Sequence, residues 1–494
     1  MFLLATSSQS RGHWLWGHEL EPLTGYFGEV YASWFDRLGP VVRMRGSLIH
    51  GDMLTVADPA IISHVLGKHA YDYPKSPILR PIFERTLGRG LAWAEGDEHK
   101  RMRALLNPVF SAEQTRGMFE DMKFCTDRMV AAFVAHVNTR GGDAIVQARD
   151  WTSRATLDII GRVAFGHDFG CGESAEAKQI CRVWIEMVDG GMTMGGRIAP
   201  LILRNFPFLL LFPIPAIRAQ SAVRLTVQGL AEQLIAKAPK DPELIKGGDL
   251  LSTLMRANIR EHMNISREEL LDHICAFILL GHETTAGTLN FTLHALAQNP
   301  DLQDKLRREI VSFGAEPTYQ DFQNKLPYLD VVVKEGLRMF PPGAHTERVA
   351  ARDDILPLGK PLRTTSGKVL TSIRIKKGQL ISIPTIAINR NNAVWGDGRT
   401  FRPERWLTPG GLPDPSESVK GWSQLLSFLD GPRMCIGYRV ALLEFKIILS
   451  SLIKTFVFHD TGVKMEPAMS PILQPRIIGE KGSSLPLRVT LAEL

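Results

Sequence analysis

Three things are missing from the sequence, and each removes a class of protein. Dense basic runs are absent: 58 lysines and arginines face 52 acids over 494 residues, so the net charge of +6 is thinly spread. A nucleic-acid binder needs clustered positive charge, so the chain is not read as one. A diffuse positive surface for an acidic protein partner stays open. Paired cysteines are absent too. Cys125, Cys171, Cys181, Cys275 and Cys435 are odd in number and scattered, with no C-x-x-C pair for zinc or a dithiol; this points to free thiols in a reducing compartment. The opening Met1-Phe2-Leu3-Leu4-Ala5 turns polar at Thr6, giving neither a membrane span of about 20 apolar residues nor a complete signal peptide.

What is present is apolar material for a large core, 44% of all residues, on a length that alone suggests about three domains. No internal repeat divides it. Val41-Val42-Arg43-Met44 and Met53-Leu54-Thr55-Val56 flank turn residues Gly46 to Gly51 and predict a β-hairpin. Asp58-Pro59 predicts a helix start, with Asp58 as N-cap. From about Glu113 helical periodicity dominates, with few strand signals until Lys368. Strands are then expected at Ile373-Arg374-Ile375 and Leu380-Ile381-Ser382-Ile383, joined as a hairpin by Lys376-Lys377-Gly378-Gln379. Thr408 to Lys420, rich in glycine, proline and serine, reads as a surface loop. Ile198 to Ile217 is strongly apolar, but its prolines at 200, 207, 213 and 215 exclude a straight spanning helix.

One helix is unusually long. Ser266 with Glu269 reads as a capping box, and the pattern stays helical to Asn299-Pro300. About 32 residues give roughly 48 Å, enough to cross the molecule. Its middle, Leu280-Gly281-His282-Glu283-Thr284-Thr285, holds poor helix formers, and a bulge is expected there. An acid beside an alcohol can move a proton or hold a water; taken alone, Glu283-Thr284 also reads as a tolerated polar defect. Glu335 and Arg338 share a face at i,i+3 of a helix expected to start near Pro327 and end before Pro341-Pro342.

The most unusual stretch is Phe428-Leu429-Asp430-Gly431-Pro432-Arg433-Met434-Cys435-Ile436-Gly437. Gly431-Pro432 forces a turn, Gly437 permits close approach, and Arg433 favours a deprotonated sulfur, so Cys435 can be held open as a soft metal ligand. By itself it reads more readily as a structural cysteine beside a turn.

F-x-x-G-x-R-x-C-x-G, matched at Phe428, Gly431, Arg433, Cys435 and Gly437 and followed by Ala441 and Glu444, resembles the haem-thiolate signature of the cytochrome P450 family, most like its fungal microsomal members. The resemblance implies a mainly α fold with small β-sheets, as one domain over residues 31–494 after an N-terminal segment 1–30 without a visible anchor helix. It implies haem b with Cys435 as axial iron ligand, and Glu283 and Thr284 as the acid and alcohol of oxygen activation. His99 and Arg103, on a basic helix within Gly90 to Ser111, would hold one haem carboxylate, with histidine standing where the family usually has tryptophan. Arg348 and Arg433 would hold haem carboxylates too. Glu335, Arg338 and Arg405, the last in Phe401-Arg402-Pro403-Glu404-Arg405-Trp406, would be structural. Leu280, in place of the usual alanine, Gly281, Ala344, His345 and Thr346 would face the substrate.

The function so implied is a monooxygenase oxidising an apolar small molecule, a terpenoid by preference. NADPH electrons would arrive through a separate NADPH-cytochrome P450 reductase, with cytochrome b5 as an accessory donor. The protein would be a monomer on the cytosolic face of the endoplasmic reticulum, touching the membrane peripherally through the 198–217 region. Two other readings stand beside it: a haem-thiolate isomerase or dehydratase that needs no reductase, and a non-catalytic haem or ligand carrier.

Overall fold

The structure is a computed structural model that describes residues 12–212, 215–237, 249–260, 265–364 and 366–493. The opening at 1–6 and Pro213 lie outside them. Mainly helical architecture with small sheets is what the chain adopts. The central helix, Arg267–Ala297, has 31 residues and so extends roughly 46 Å. Ser266 caps it by accepting from the Glu269 N–H, while the Glu269 carboxylate turns to Arg101 at 2.8 Å. Apolar side chains surround most of its circumference, as suits a helix in the middle of a large core.

The expected bulge is not there: the helix is continuous through Thr285. Thr284 Oγ1 donates back to the Leu280 carbonyl at 2.7 Å, a local bond the helix accommodates without opening. Gly281 serves close packing instead. The neighbouring helix Ala148–Phe165 lies so near that a Cβ at 281 would stand 2.7 Å from Ile160 Cγ1.

The early hairpin forms as expected, with Val41 opposite Val56 and Met44 opposite Met53, and Asp58 caps the next helix by accepting from Ala60 and Ile61. Leu380–Ile383 and Thr346–Val349 complete this four-stranded sheet. The later hairpin is a correction. Val369–Ile375 pairs with Asp354–Arg363 in a separate sheet, whereas Leu380–Ile383 pairs with Thr346–Val349 and runs parallel to Met53–Val56. The Lys376–Gln379 turn, with Gly378 at φ +85°, carries the chain between sheets because Gly378 N–H bonds to Ala350 rather than across a ladder. Several strands gave too weak a signal to anticipate, among them Asp143–Gln147, whose partner is the distant Pro486–Leu491, Asp354–Arg363, and the C-terminal strands from Phe456 onward.

The helix carrying Glu335 runs Pro327–Met339, as its prolines dictate. Glu335, Arg338 and Arg405 are all fully buried. Arg338 forks onto Glu335 at 2.8 and 2.9 Å, and Arg405 Nε reaches the same carboxylate at 3.1 Å. Trp406 Nε1 at 2.9 Å and the Arg402 N–H at 2.8 Å complete its shell. Truncating one partner strands a buried charge, at a cost of roughly 3–5 kcal/mol. Arg338→Ala should therefore lower the unfolding free energy measured in denaturant by that amount; a change below about 1 kcal/mol would contradict a supporting role.

Candidate active site

The residues around Cys435 are held by their own backbone chemistry. Asp430 accepts from the Gly431 N–H, and Gly431 sits at φ +67° with a Cβ-sized gap of only 2.2 Å to the Leu66 carbonyl, so glycine alone fits. Cys435 N–H donates to the Phe428 carbonyl at 2.8 Å, closing the loop. Phe428 is buried, edge-on to Trp422. The helix Tyr438–Thr455 begins directly after Gly437.

All five cysteines are free, and Cys435 is the exposed one. It is nevertheless enclosed by protein: burial pushes its thiol pKa up, opposed by the Gly437 N–H and the Arg103 charge. Accessible yet enclosed means that the sulfur faces an internal opening. The central helix shows the same thing. Phe277, Leu280, Gly281 and Thr284 are accessible at i, i+3, i+4 and i+7, while their neighbours on both sides are buried; that spacing is one helical stripe. Phe110 links the two walls, touching Phe277 with ring centroids 5.2 Å apart and lying 3.7 Å from a Cβ at Gly437.

Glu283 and Thr284 are adjacent but face apart. Thr284 is on the accessible stripe, whereas Glu283 is buried, its carboxylate accepting from Ser153 Oγ at 2.7 Å and Gln474 Nε2 at 3.2 Å. His282 Nε2 is 3.4 Å from it. On the helix that follows the cysteine loop, Glu444 is buried with Oε1 lacking a partner among the described residues. Burial raises its pKa well above the carboxylate range, against a Thr285 hydrogen bond.

Positive charge gathers at one edge of the opening. Arg103 and His99 are on the helix Gly96–Leu106. Arg103 donates to the Met434 carbonyl beside Cys435. His99 is buried and 3.1 Å from Tyr71 OH; burial and the nearby Arg433 and Lys75 charges lower its pKa to about 4, so it is neutral. Arg433 is buried and pairs with Glu95, yet its Nε has no partner among the described residues. Arg348 is buried and bonds to Thr346 Oγ1 at 2.7 Å. Burial and Arg433 lower its pKa to about 10.

Sequence reasoning missed four residues here: Lys75, Glu95, Ser153 and Gln474. None lies in a motif; each arrives by tertiary folding, although Lys75 and Glu95 sit in segments that flank the basic helix. Among the anticipated pocket residues, Thr346 is half-buried near Arg348. His345 stacks on Tyr31 at 5.8 Å and bonds to Ser382 at 2.9 Å. Ala344 is fully buried, packed with Phe27, Phe291, Ile386 and Leu473.

The donor set fits a haem. A cysteine sulfur facing an opening offers the iron ligand, and an edge rich in arginine, with an orphaned guanidinium N–H, suits carboxylates. A site so built defines a haem-thiolate protein. The cytochrome P450 family profile matches residues 8–477, and the chain belongs to that family. Cytochrome P450 monooxygenase claQ of Ampulloclitocybe clavipes is 34% identical over 479 residues, covering 94% of this chain and 89% of that protein. Cytochrome P450 monooxygenase 205 of Postia placenta is 32% identical over 502 residues, covering 97% and 91%. The chain is accordingly an oxidoreductase of fungal monooxygenase type.

The upward shift of the Glu444 pKa can be checked. Glu444→Gln should cost far less stability than Glu335→Gln, because burial disfavours the charged form at 444 and the isosteric amide removes no ion pair there. Glu335→Gln should cost roughly 3 kcal/mol or more, because it strips charge from two buried arginines. Equal losses in urea unfolding would refute the distinction.

Proposed function

We propose that this enzyme takes electrons from an NADPH-dependent reductase, with cytochrome b5 as an accessory donor, and inserts one oxygen atom into an apolar small molecule of secondary metabolism, a terpenoid by preference. The observation that carries this reading is the accessible stripe Phe277, Leu280, Gly281 and Thr284, an apolar wall ending in a hydroxyl and tied to the cysteine loop through Phe110. Haem bound through the Cys435 thiolate would supply the oxygen activation. Arg103, His99, Arg348 and Arg433 would hold its carboxylates, Phe428 and Gly437 would shape the loop beneath it, and the chain's remaining task is proton handling. Thr284 offers a hydroxyl at the opening, and Glu283, one residue back, is a carboxyl held by Ser153 and Gln474. An isomerase or a carrier has no use for that pair, which favours the monooxygenase.

Leu280, the most exposed residue of the stripe, would restrict which carbon reaches the iron. Phe208, Leu211 and Phe212 are more than half exposed after the helix Met194–Asn205, which supports peripheral contact with a membrane such as the endoplasmic reticulum. Among the described residues no helix is long and apolar enough to cross one. We take residues 31–494 to form one catalytic domain that acts as a monomer.

The reduced, carbon monoxide-bound protein should show a strongly red-shifted Soret band, lost in Cys435→Ser; folded, haem-loaded wild type without the band would overturn the assignment. With a reductase and a panel of terpenoids, fatty acids and aromatic metabolites, turnover should require NADPH. Thr284→Ala should lower product per NADPH by roughly 10–100-fold, the scale of a lost proton-transfer group, with the electrons diverted to peroxide. Unchanged coupling would remove Thr284 from the mechanism.

A further inference from the structure

The positive edge of the opening is short of negative charge. Lys75 and Arg348 face each other across an isolated antiparallel bridge. Lys75 Nζ donates to the Ala94 carbonyl at 3.0 Å and pairs with Glu95 at 3.1 Å. Arg433 joins the same two partners, the Ala94 carbonyl at 3.3 Å and the Glu95 carboxylate. Two cations therefore share one carboxylate, and Arg348 stands beside them across the bridge without an ion-pair partner of its own among the described residues. The neighbouring acid does not repair this: Glu347 points to the other face of its strand, towards Arg204 at 3.8 Å. Arg103 is committed beside the cysteine, and His99 is neutral. Arg433 Nε is buried without a partner among the described residues.

The Lys75 ammonium registers the imbalance. Burial, followed by Arg433, brings its pKa down to about 7 against the pull of Glu95. Glu95 shows the converse: burial would raise its pKa, but Lys75, the Lys75 backbone N–H and Arg433 hold it below the usual range. A largely enclosed cluster in which Lys75, Arg433 and the neighbouring Arg348 crowd around one carboxylate accepts added negative charge at little cost, because it removes repulsion already present and favours the charged form of Lys75. Haem b carries two carboxylates.

We infer that Lys75 is a further direct ligand of a haem carboxylate, and that Glu95 is the internal counter-ion that positions Lys75 and Arg433 to receive it. The inference rests on the haem reading above. Lys75 adds a compact point charge with three donors to the planar guanidinium of Arg433. Glu95 fans the two cations apart by accepting from both, so each keeps donors for the incoming group. A simple strut between the segments at 75 and 95 would need neither the surplus charge nor the orphaned N–H.

Charge and strut roles differ in the sign of what two variants do. A cation near the iron favours the ferrous state and an anion the ferric state. In haem-loaded full-length protein, Lys75→Gln should lower the reduction midpoint and Glu95→Gln should raise it. Transfer of haem to apomyoglobin at pH 7.4 should be roughly tenfold faster in Lys75→Gln, the scale of one charge-assisted hydrogen bond, and no faster than wild type in Glu95→Gln. Lys75→Arg should restore both readings. Shifts of the same sign, no shift, or faster haem loss in both glutamine variants would overturn the inference, as would failure of both Lys75→Gln and Lys75→Arg to load haem. Wild type supplies the separation of causes: a missing red-shifted carbon monoxide band defeats the haem-thiolate reading itself, whereas a normal band with unshifted variants defeats only the roles of Lys75 and Glu95.

Discussion

The buried Glu335 carboxylate is the interaction on which the cysteine side of the molecule depends. Four groups converge on it: Arg338, Arg405, the Trp406 indole and the Arg402 backbone. Arg338 then reaches outward to the carbonyls of Asn389, Gly398 and Thr400. From Asn389 the chain of bonds continues into the cysteine loop, because its side chain meets the Leu426 N–H at 3.0 Å and Ser427 Oγ at 3.0 Å. Ser427 Oγ returns to the Leu337 carbonyl on the starting helix at 2.7 Å. A closed circuit of this kind fixes where Phe428 begins, and Phe428 in turn accepts the Cys435 N–H. An ion cluster in a core is poor value as pure stability, since desolvation consumes most of its attraction. Its worth here is geometric: few apolar contacts could hold three separate segments at fixed angles beneath one sulfur.

The opposite edge of the opening uses charge the other way. Around Glu335 every donor has found an acceptor; around Glu95 cations outnumber anions and one guanidinium N–H is idle. The Glu335 group is fully buried, while Lys75 and Glu95 keep partial exposure at the edge of the opening. A satisfied cluster acts as a fastener; the orphaned N–H beside Glu95 is what the proposed carboxylate ligand would occupy. That contrast separates scaffold from site without appeal to motif.

Much of this was legible in the sequence because local rules carried it. The limits of the helix Pro327–Met339 follow from its prolines, the Ser266 and Asp58 caps from their side chains, and the cysteine loop from Gly431, whose positive φ no other residue accepts cheaply. Failures came where tertiary contact overruled local preference. Leu280 to Thr285 contain poor helix formers, yet Ile160 packs on Gly281 and holds the helix straight. Leu380–Ile383 follows a good hairpin turn but finds better partners in Thr346–Val349 and Met53–Val56. Lys75, Glu95, Ser153 and Gln474 were invisible for a simpler reason: an isolated lysine or serine has no periodicity, and only the fold brings it to its partner.

The acid and the alcohol show what sequence adjacency does and does not determine. Neighbours on a helix point about 100° apart, so Glu283 and Thr284 cannot both face the opening. Thr284 does, with its hydroxyl resting on the Leu280 carbonyl. Glu283 is turned toward the helix Ala148–Phe165 and the strand Leu473–Ile477, held there by one hydroxyl and one amide. No cation pairs with that carboxylate among the described residues except His282 if protonated, and His282 is fully buried with its ring bonded to the Ile278 carbonyl at 2.9 Å. Neutral holders release a carboxylate far more cheaply than a buried arginine would. Sequence adjacency thus places the two groups on different faces of one helix, the acid against Ser153 and Gln474 and the alcohol on the accessible stripe.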